Sequence, residues 1–176
     1  HIVTMNADGT NKTTIATNSG FNLNPVWSPD GTKIAFILKG FFEDCLALVN
    51  PDGTDQVCIT SYAAIERVRE GFLWNSSGSQ ILFEGLPAGS DQLDLFIVNI
   101  SNGNIANVTM SVPDFGSSGV TIDWSTDDTQ IVYNEEDLTL GHDIYIINAD
   151  GTGHSNLTSS NNVDDRWPNW SPVPLP

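Results

Sequence analysis

Apolar residues along this chain come in short bursts rather than helical stripes. Lys33-Ile-Ala-Phe-Ile-Leu38, Gln80-Ile-Leu-Phe-Glu84 and Gln130-Ile-Val-Tyr133 are β-branched and aromatic, and each follows a turn of Gly, Asp or Ser, as short strands do. A second set follows at a fixed distance: Cys45 to Val49, Asp94-Leu-Phe-Ile-Val98 and Asp143-Ile-Tyr-Ile-Ile147, each closed by an Asn. A polar run then ends in Ile59-Thr60, Val108-Thr109 or Leu157-Thr158. No stretch keeps a helical period for a useful length; Ala63 to Arg69 could form a turn or two at most.

These bursts belong to a repeat. Asn6-Ala-Asp-Gly9, Asn50-Pro-Asp-Gly53, the degraded Asn99-Ile-Ser-Asn-Gly103 and Asn148-Ala-Asp-Gly151 alternate with Pro25-Val-Trp-Ser-Pro-Asp-Gly31, Phe72-Leu-Trp-Asn-Ser-Ser-Gly78, Ile122-Asp-Trp-Ser-Thr-Asp-Asp128 and Pro168-Asn-Trp-Ser-Pro172. A period of roughly 45 to 50 residues suits a propeller or another repeat array. The Asp-Gly pair reads as a hairpin turn, because Gly accepts the positive φ such turns require. Each unit thus holds a Trp strand, an aliphatic strand, a strand ending in Asn and a polar Thr strand, which together make a propeller blade. The expected fold is all-β, a four-bladed β-propeller of four-stranded antiparallel blades in one domain. Whole blades fall at about 24–60, 71–109 and 120–158, and the closing blade is shared between 1–17 and 166–176. Trp27, Trp74, Trp124 and Trp170 would pack between blades, whereas Trp167 has no repeat counterpart and is expected to make an exposed contact.

Ile144-Tyr-Ile-Ile-Asn-Ala-Asp-Gly-Thr152, Leu157-Thr158 and Pro25-Val-Trp-Ser-Pro-Asp-Gly-Thr-Lys-Ile-Ala-Phe36 resemble the WD40-like repeats of TolB-type β-propellers. The likeness runs over essentially the whole chain and is looser in the middle. There Asn75-Ser-Ser-Gly78 and Ser125-Thr-Asp-Asp128 replace the Ser-Pro-Asp-Gly turn, and Asp114-Phe-Gly-Ser-Ser118 departs from the pattern. The resemblance implies the fold and a habit of non-enzymatic protein binding in the cell envelope; it transfers no partner.

Charge narrows the function classes. Six Lys plus Arg against twenty-two Asp plus Glu give a net charge of -16, which repels phosphate backbones and anionic lipid. The longest apolar run, Ile34 to Leu38, falls far short of the roughly 20 residues of a membrane helix. The start at His1, aligned with the start of a repeat and lacking an initiator Met, reads as processed. Cys45 and Cys58 flank the turn at Asn50 to Gly53, so a hairpin there would allow either a cross-strand disulfide or two reduced, buried thiols. Asn-x-Ser/Thr sequons stand at Asn11, Asn75, Asn99, Asn107, Asn156 and Asn169. Together these features point to an extracellular or periplasmic compartment.

No nucleophile elbow, zinc-protease helix or phosphate-binding glycine loop is present, and His1, His142 and His154 are scattered, so an enzyme is not expected. No cofactor is required. Glu135, Asp137, Asp143, Asp164 and Asp165 are the candidate oxygen ligands for calcium, against the alternative of solvated charge. The closing blade draws the most attention. After Trp170 comes Val173-Pro-Leu-Pro176, and prolines cannot supply a central strand's donors, so this blade is expected to lack its second strand, leaving either a three-stranded blade or a slot. A slot of this kind invites strand addition, and a head-to-tail contact between identical chains can build a filament. The expected role is structural self-association through Ile2, Val3, Trp167, Trp170, Val173 and Leu175. The alternatives are an envelope module that holds a different protein and the accessory propeller of a hydrolase.

Overall fold

The structure, a computed structural model, describes residues 1–17, 20–40, 44–60, 63–110, 120–137, 141–159 and 163–172, with the backbone alone for Glu70, Glu136 and Asp137. Every regular element among them is a strand. The chain opens with β1 (Ile2–Thr4) and β2 (Thr13–Ala16), an antiparallel pair. Sheet I follows, with β3 (Phe21–Trp27), β4 (Ile34–Lys39), β5 (Asp44–Val49) and β6 (Val57–Cys58). Sheet II holds β7 (Ile65–Trp74), β8 (Gln80–Pro87), β9 (Asp94–Asn99) and β10 (Ile105–Asn107). Sheet III holds β11 (Ile122–Trp124), β12 (Gln130–Asp137), β13 (Gly141–Asn148) and β14 (Ser155–Asn156). Each of the three is a four-stranded antiparallel meander in chain order.

The turns are built from side-chain chemistry. In Asn6-Ala-Asp-Gly-Thr10 the Gly9 amide donates to the Asn6 carbonyl at 2.9 Å, and the Thr10 amide and hydroxyl both donate to Asp8 Oδ1, at 2.9 and 2.6 Å. Thr54 repeats this on Asp52, and Thr152 on Asp150. Gly9, Gly53 and Gly151 sit at φ of 82, 88 and 83°, the left-handed region where a Cβ is unfavourable. These bonds hold the carboxyls of Asp8, Asp52 and Asp150 below the usual aspartate range. The Trp-side turns use a serine as well: Ser28 Oγ donates to Asp30 and Ser125 Oγ to Asp127, with the same downward effect on both acids.

The apolar runs of β4, β5, β8 and β9 are continuous because both faces of these strands are covered. Ile34 and Phe36 join Ile2, Ile15 and Ala16 of the terminal pair in one core cluster. Ala35 and Ile37, on the other face, join Phe72, Ile81 and Phe83 of sheet II in a second. Leu82, Leu95 and Ile97 turn toward Trp124, Ile131 and Tyr133 of sheet III in a third. The cores therefore lie between successive sheets.

Ala63 to Arg69 holds no helix: β7 begins at Ile65, and Ile65 and Val68 are buried in the seam with sheet I. The closing strand differs from expectation. Residues 163–171 carry no strand, and among the described residues β1–β2 remains a two-stranded sheet. Trp167 takes a φ of 58°, which breaks an extended run, and Pro168 brings no amide hydrogen. Val173 and Leu175 lie outside the described residues, as does the loop at Asp114 to Ser118.

Candidate interaction surface

The Trp repeat shows where the array is covered and where it is open. Trp124 is 7% exposed in the seam between sheets II and III. Trp74 is partly buried against sheet I, and its indole Nε1 donates to the Val26 carbonyl at 3.3 Å. Trp27 occupies the same repeat position but is 50% exposed, and on the same strand Val26 is exposed and Phe21 is 74% exposed. The difference lies in what precedes each Trp strand. Sheets II and III each follow a four-stranded sheet, whereas β3 follows only β1–β2. Ile2 is buried against sheet I, Val3 is exposed, and β1 has no second ladder partner among the described residues.

At the far end, residues 163–172 are strapped to sheet III. The Trp170 amide donates to Asp123 Oδ2 at 2.6 Å, and the Asp165 amide donates to the His142 carbonyl at 2.7 Å. The His142 amide in turn donates to Asp164 Oδ1 at 3.1 Å, with His142 Nδ1 at 3.0 Å from the same oxygen. Arg166 Nε lies 2.9 Å from both Asp164 oxygens and holds that carboxyl below the usual range. Trp167 projects from this strap, 77% exposed.

Of the calcium candidates, Glu135 and Asp143 are brought directly opposite each other on β12 and β13, and both are buried. Asp143 is already occupied by the Asn156 amide at 2.7 Å and the Thr158 hydroxyl at 3.3 Å. Asp164 is held by His142 and Arg166, and the side chain of Asp137 is not among those described. Among the described residues no group of three or more His, Cys, Asp or Glu side chains is arranged to hold a metal ion.

Sheet comparison explains the cysteines and two of the six sequons. Asn107 Nδ2 donates to Asp94 at 2.8 Å, and Thr109 Oγ1 donates to the same carboxylate at 2.9 Å; Asn156 and Thr158 do this on Asp143. In sheet I the positions of that Asp and Asn are taken by Cys45 and Cys58, joined as a disulfide with Cα atoms 5.8 Å apart. Asn107-Val-Thr109 and Asn156-Leu-Thr158 are therefore the Asn and Thr of a strand clamp. Asn75 is buried and donates to Ser77 and Asp128, and Asn99 Oδ1 accepts from Ser101. Asn11 and Asn169 are exposed.

The sequence pattern carried no sign of the inter-sheet bonds, foremost those of Asp128, which accepts from Asn75, Ser76 and Ser77 of sheet II. The two turns that depart from Ser-Pro-Asp-Gly are partners, a reciprocity readable only with both aligned.

A family model described as the TolB beta propeller domain matches residues 1–174. No curated protein matches the chain. Among solved structures, putative TolB from Agrobacterium tumefaciens is similar with a TM-score of 0.72 at 20% identity, over 94% of this chain and 57% of that one. TolB from Acinetobacter baumannii is similar with a TM-score of 0.65 at 16% identity, over 86% and 35%. The beta-propeller domain of the Trilobed protease from Pyrococcus furiosus, described as having an open velcro topology, gives 0.57 at 18% identity, over 77% and 43%. The chain thus spans about a third to three fifths of the length of these relatives. Likeness at this level of identity is likeness of fold.

Proposed function

The chain belongs to the TolB β-propeller domain family, and from that premise we propose that it is a non-enzymatic binding array that associates with further copies of itself. One observation carries this reading: Trp27, Phe21 and Val26 are exposed at a position where the repeat elsewhere is covered by a preceding sheet. What covers Trp74 and Trp124 is a sheet of this same kind, so the occupant that fits β3 is another such sheet, supplied by a second molecule. We count β1–β2 as the outer half of a fourth blade completed in trans, with Trp167 part of the contact. Repeated head to tail, such a contact yields a filament if the rotation does not close. The Cys45–Cys58 bond supports an oxidising compartment, extracellular or periplasmic. At a net charge of -16 copies repel, so association is expected to strengthen as salt screens them.

The test is sedimentation and electron microscopy of the purified chain over a range of concentration and salt. Concentration-dependent assembly, lost in Phe21→Glu combined with Trp27→Gln while the circular dichroism is kept, supports the reading. A monomer at every concentration and salt overturns it. A second reading draws on the Trilobed protease propeller: the array accompanies another domain and β3 is covered within a longer polypeptide. It predicts a monomer that does not assemble, and it gains if an added separate domain protects β3 from hydrogen exchange.

A further inference from the structure

In sheets I and III the residue at or just before the start of the second strand reaches across to the Asn at or just after the end of the third. Lys33 Nζ donates to Asn50 Oδ1 at 2.6 Å, and Gln130 Nε2 donates to Asn148 Oδ1 at 3.2 Å. The equivalent pair in sheet II, Gln80 and Asn99, are ladder partners whose side chains are not joined in this way. Asn99-Ile-Ser-Asn-Gly103 has one residue more than Asn-x-Asp-Gly, and in this longer turn Asn99 Oδ1 accepts the Ser101 amide at 3.0 Å and its hydroxyl at 2.7 Å. The space between them is a depression of about 240 Å³, lined by Gln80, Asn99, Asn102 and Asn104 together with Ile97 and Ile105.

Its chemistry differs from the rest of the surface. The other three turns of this class each carry an Asp, whereas this one carries none, in a chain of net charge -16. No lining residue is charged. Of its carboxamides, Asn99 and Asn102 are engaged through their oxygens, by Ser101 and by the Asn104 backbone amide at 2.9 Å. Carboxamides donate and accept hydrogen bonds side by side, as vicinal hydroxyls require, and they carry no net charge. A depression of about 240 Å³ is of a size to seat a single ring rather than an extended peptide.

We propose that the amide-lined depression between Gln80 and the Asn99–Gly103 turn binds a neutral saccharide unit. The test is nitrogen-15 NMR of the side-chain amides of the full chain, titrated separately with methyl β-glucoside, methyl β-galactoside, N-acetylglucosamine and triglycine. The expected result is saturable shifts of the Gln80 and Asn104 carboxamides with at least one saccharide, at millimolar affinity. Gln80→Leu should weaken binding about tenfold, as expected for the loss of one or two hydrogen bonds, and Asn104→Ala should do the same. Either variant suffices where the other fails to fold. Absence of saturable shifts with all three sugars, shifts that persist in both variants, or saturation by triglycine alone overturns the proposal.

Discussion

The Asp128 carboxylate accepts the Ser76 amide at 2.8 Å across the seam between sheets III and II. It also takes the Ser76 hydroxyl, the Ser77 amide and the Asn75 carboxamide. Asp128 stands at φ 59°, where Gly31 and Gly78 serve the equivalent turns. Replacing it with Gly relieves the backbone and removes all four bonds. The bonds outweigh a left-handed cost of about 1 kcal/mol, so Asp128→Gly is expected to lower stability by about 1–3 kcal/mol in urea unfolding. Asp128→Asn, which tolerates the left-handed region and keeps one acceptor, should fall between. An Asp128→Gly variant as stable as the parent would show the bonds contribute nothing net.

The Cys45–Cys58 bond and the Asp94–Asn107 pair are alternative solutions at one repeat position. A disulfide closing a loop of this size contributes about 3 kcal/mol, so Cys45→Ser with Cys58→Ser should lower the denaturation midpoint accordingly. Cys45→Asp with Cys58→Asn should recover part of the loss, because Thr60 stands ready as Thr109 does. Equal midpoints for the two double variants would refute the equivalence.

Asn75, Asn107 and Asn156 already donate their amide hydrogens within the fold. Produced in a glycosylating host, the folded fraction should carry no glycan at these three, whereas exposed Asn11 and Asn169 remain accessible. Glycopeptide mass spectrometry decides it; occupancy at Asn107 or Asn156 in folded material would count against the clamp.

Acid should act with two opposite signs. The depressed carboxyls of Asp8, Asp30, Asp52, Asp127 and Asp150 contribute stability that is present above the unfolded value of 3.8 and is lost as pH falls through their lower folded values. Replacing Thr10, Thr54 and Thr152 by Val should flatten the loss below about pH 4. Glu84 runs the other way. It is 3% exposed with Oε1 unbonded, and burial raises its pKa although Arg69 and the Val120 amide lower it. Its charged form is penalised, so Glu84→Gln should stabilise the chain at neutral pH and lose that advantage as pH falls through the raised value. Thermal melts across pH would show both slopes; a destabilised Glu84→Gln at neutral pH would sink the second.

Chelation should leave the melting temperature unchanged, since Asp143 and Asp164 already have partners. A rise on adding calcium would instead point to the opposed pair Glu135 and Asp143.

Strand positions, turns and the family were legible because each is local: Asn-x-Asp-Gly-Thr closes on itself, and a doubly covered strand such as Ile34 to Ile37 must be apolar throughout. Less legible were features that depend on a neighbour. β7 begins in Ile65-Glu-Arg-Val-Arg69, whose charges mask its alternation until sheet I is set against it. Repeat analogy predicts a closing strand at Trp170, whereas the Trp170 amide bonds to Asp123 instead. The sequons looked like modification sites because Asn-x-Thr is also what a strand clamp requires.

Because the cores lie between sheets, no sheet owns its interior. A residue such as Leu82 is answered by Trp124 in the next sheet, so duplicating or deleting one repeat creates or joins a seam whose two sides were never fitted to each other. The working unit of this architecture is therefore the junction, and the turns Asn75–Gly78 and Ser125–Asp128, the two that depart from the repeat, are bonded to each other across one.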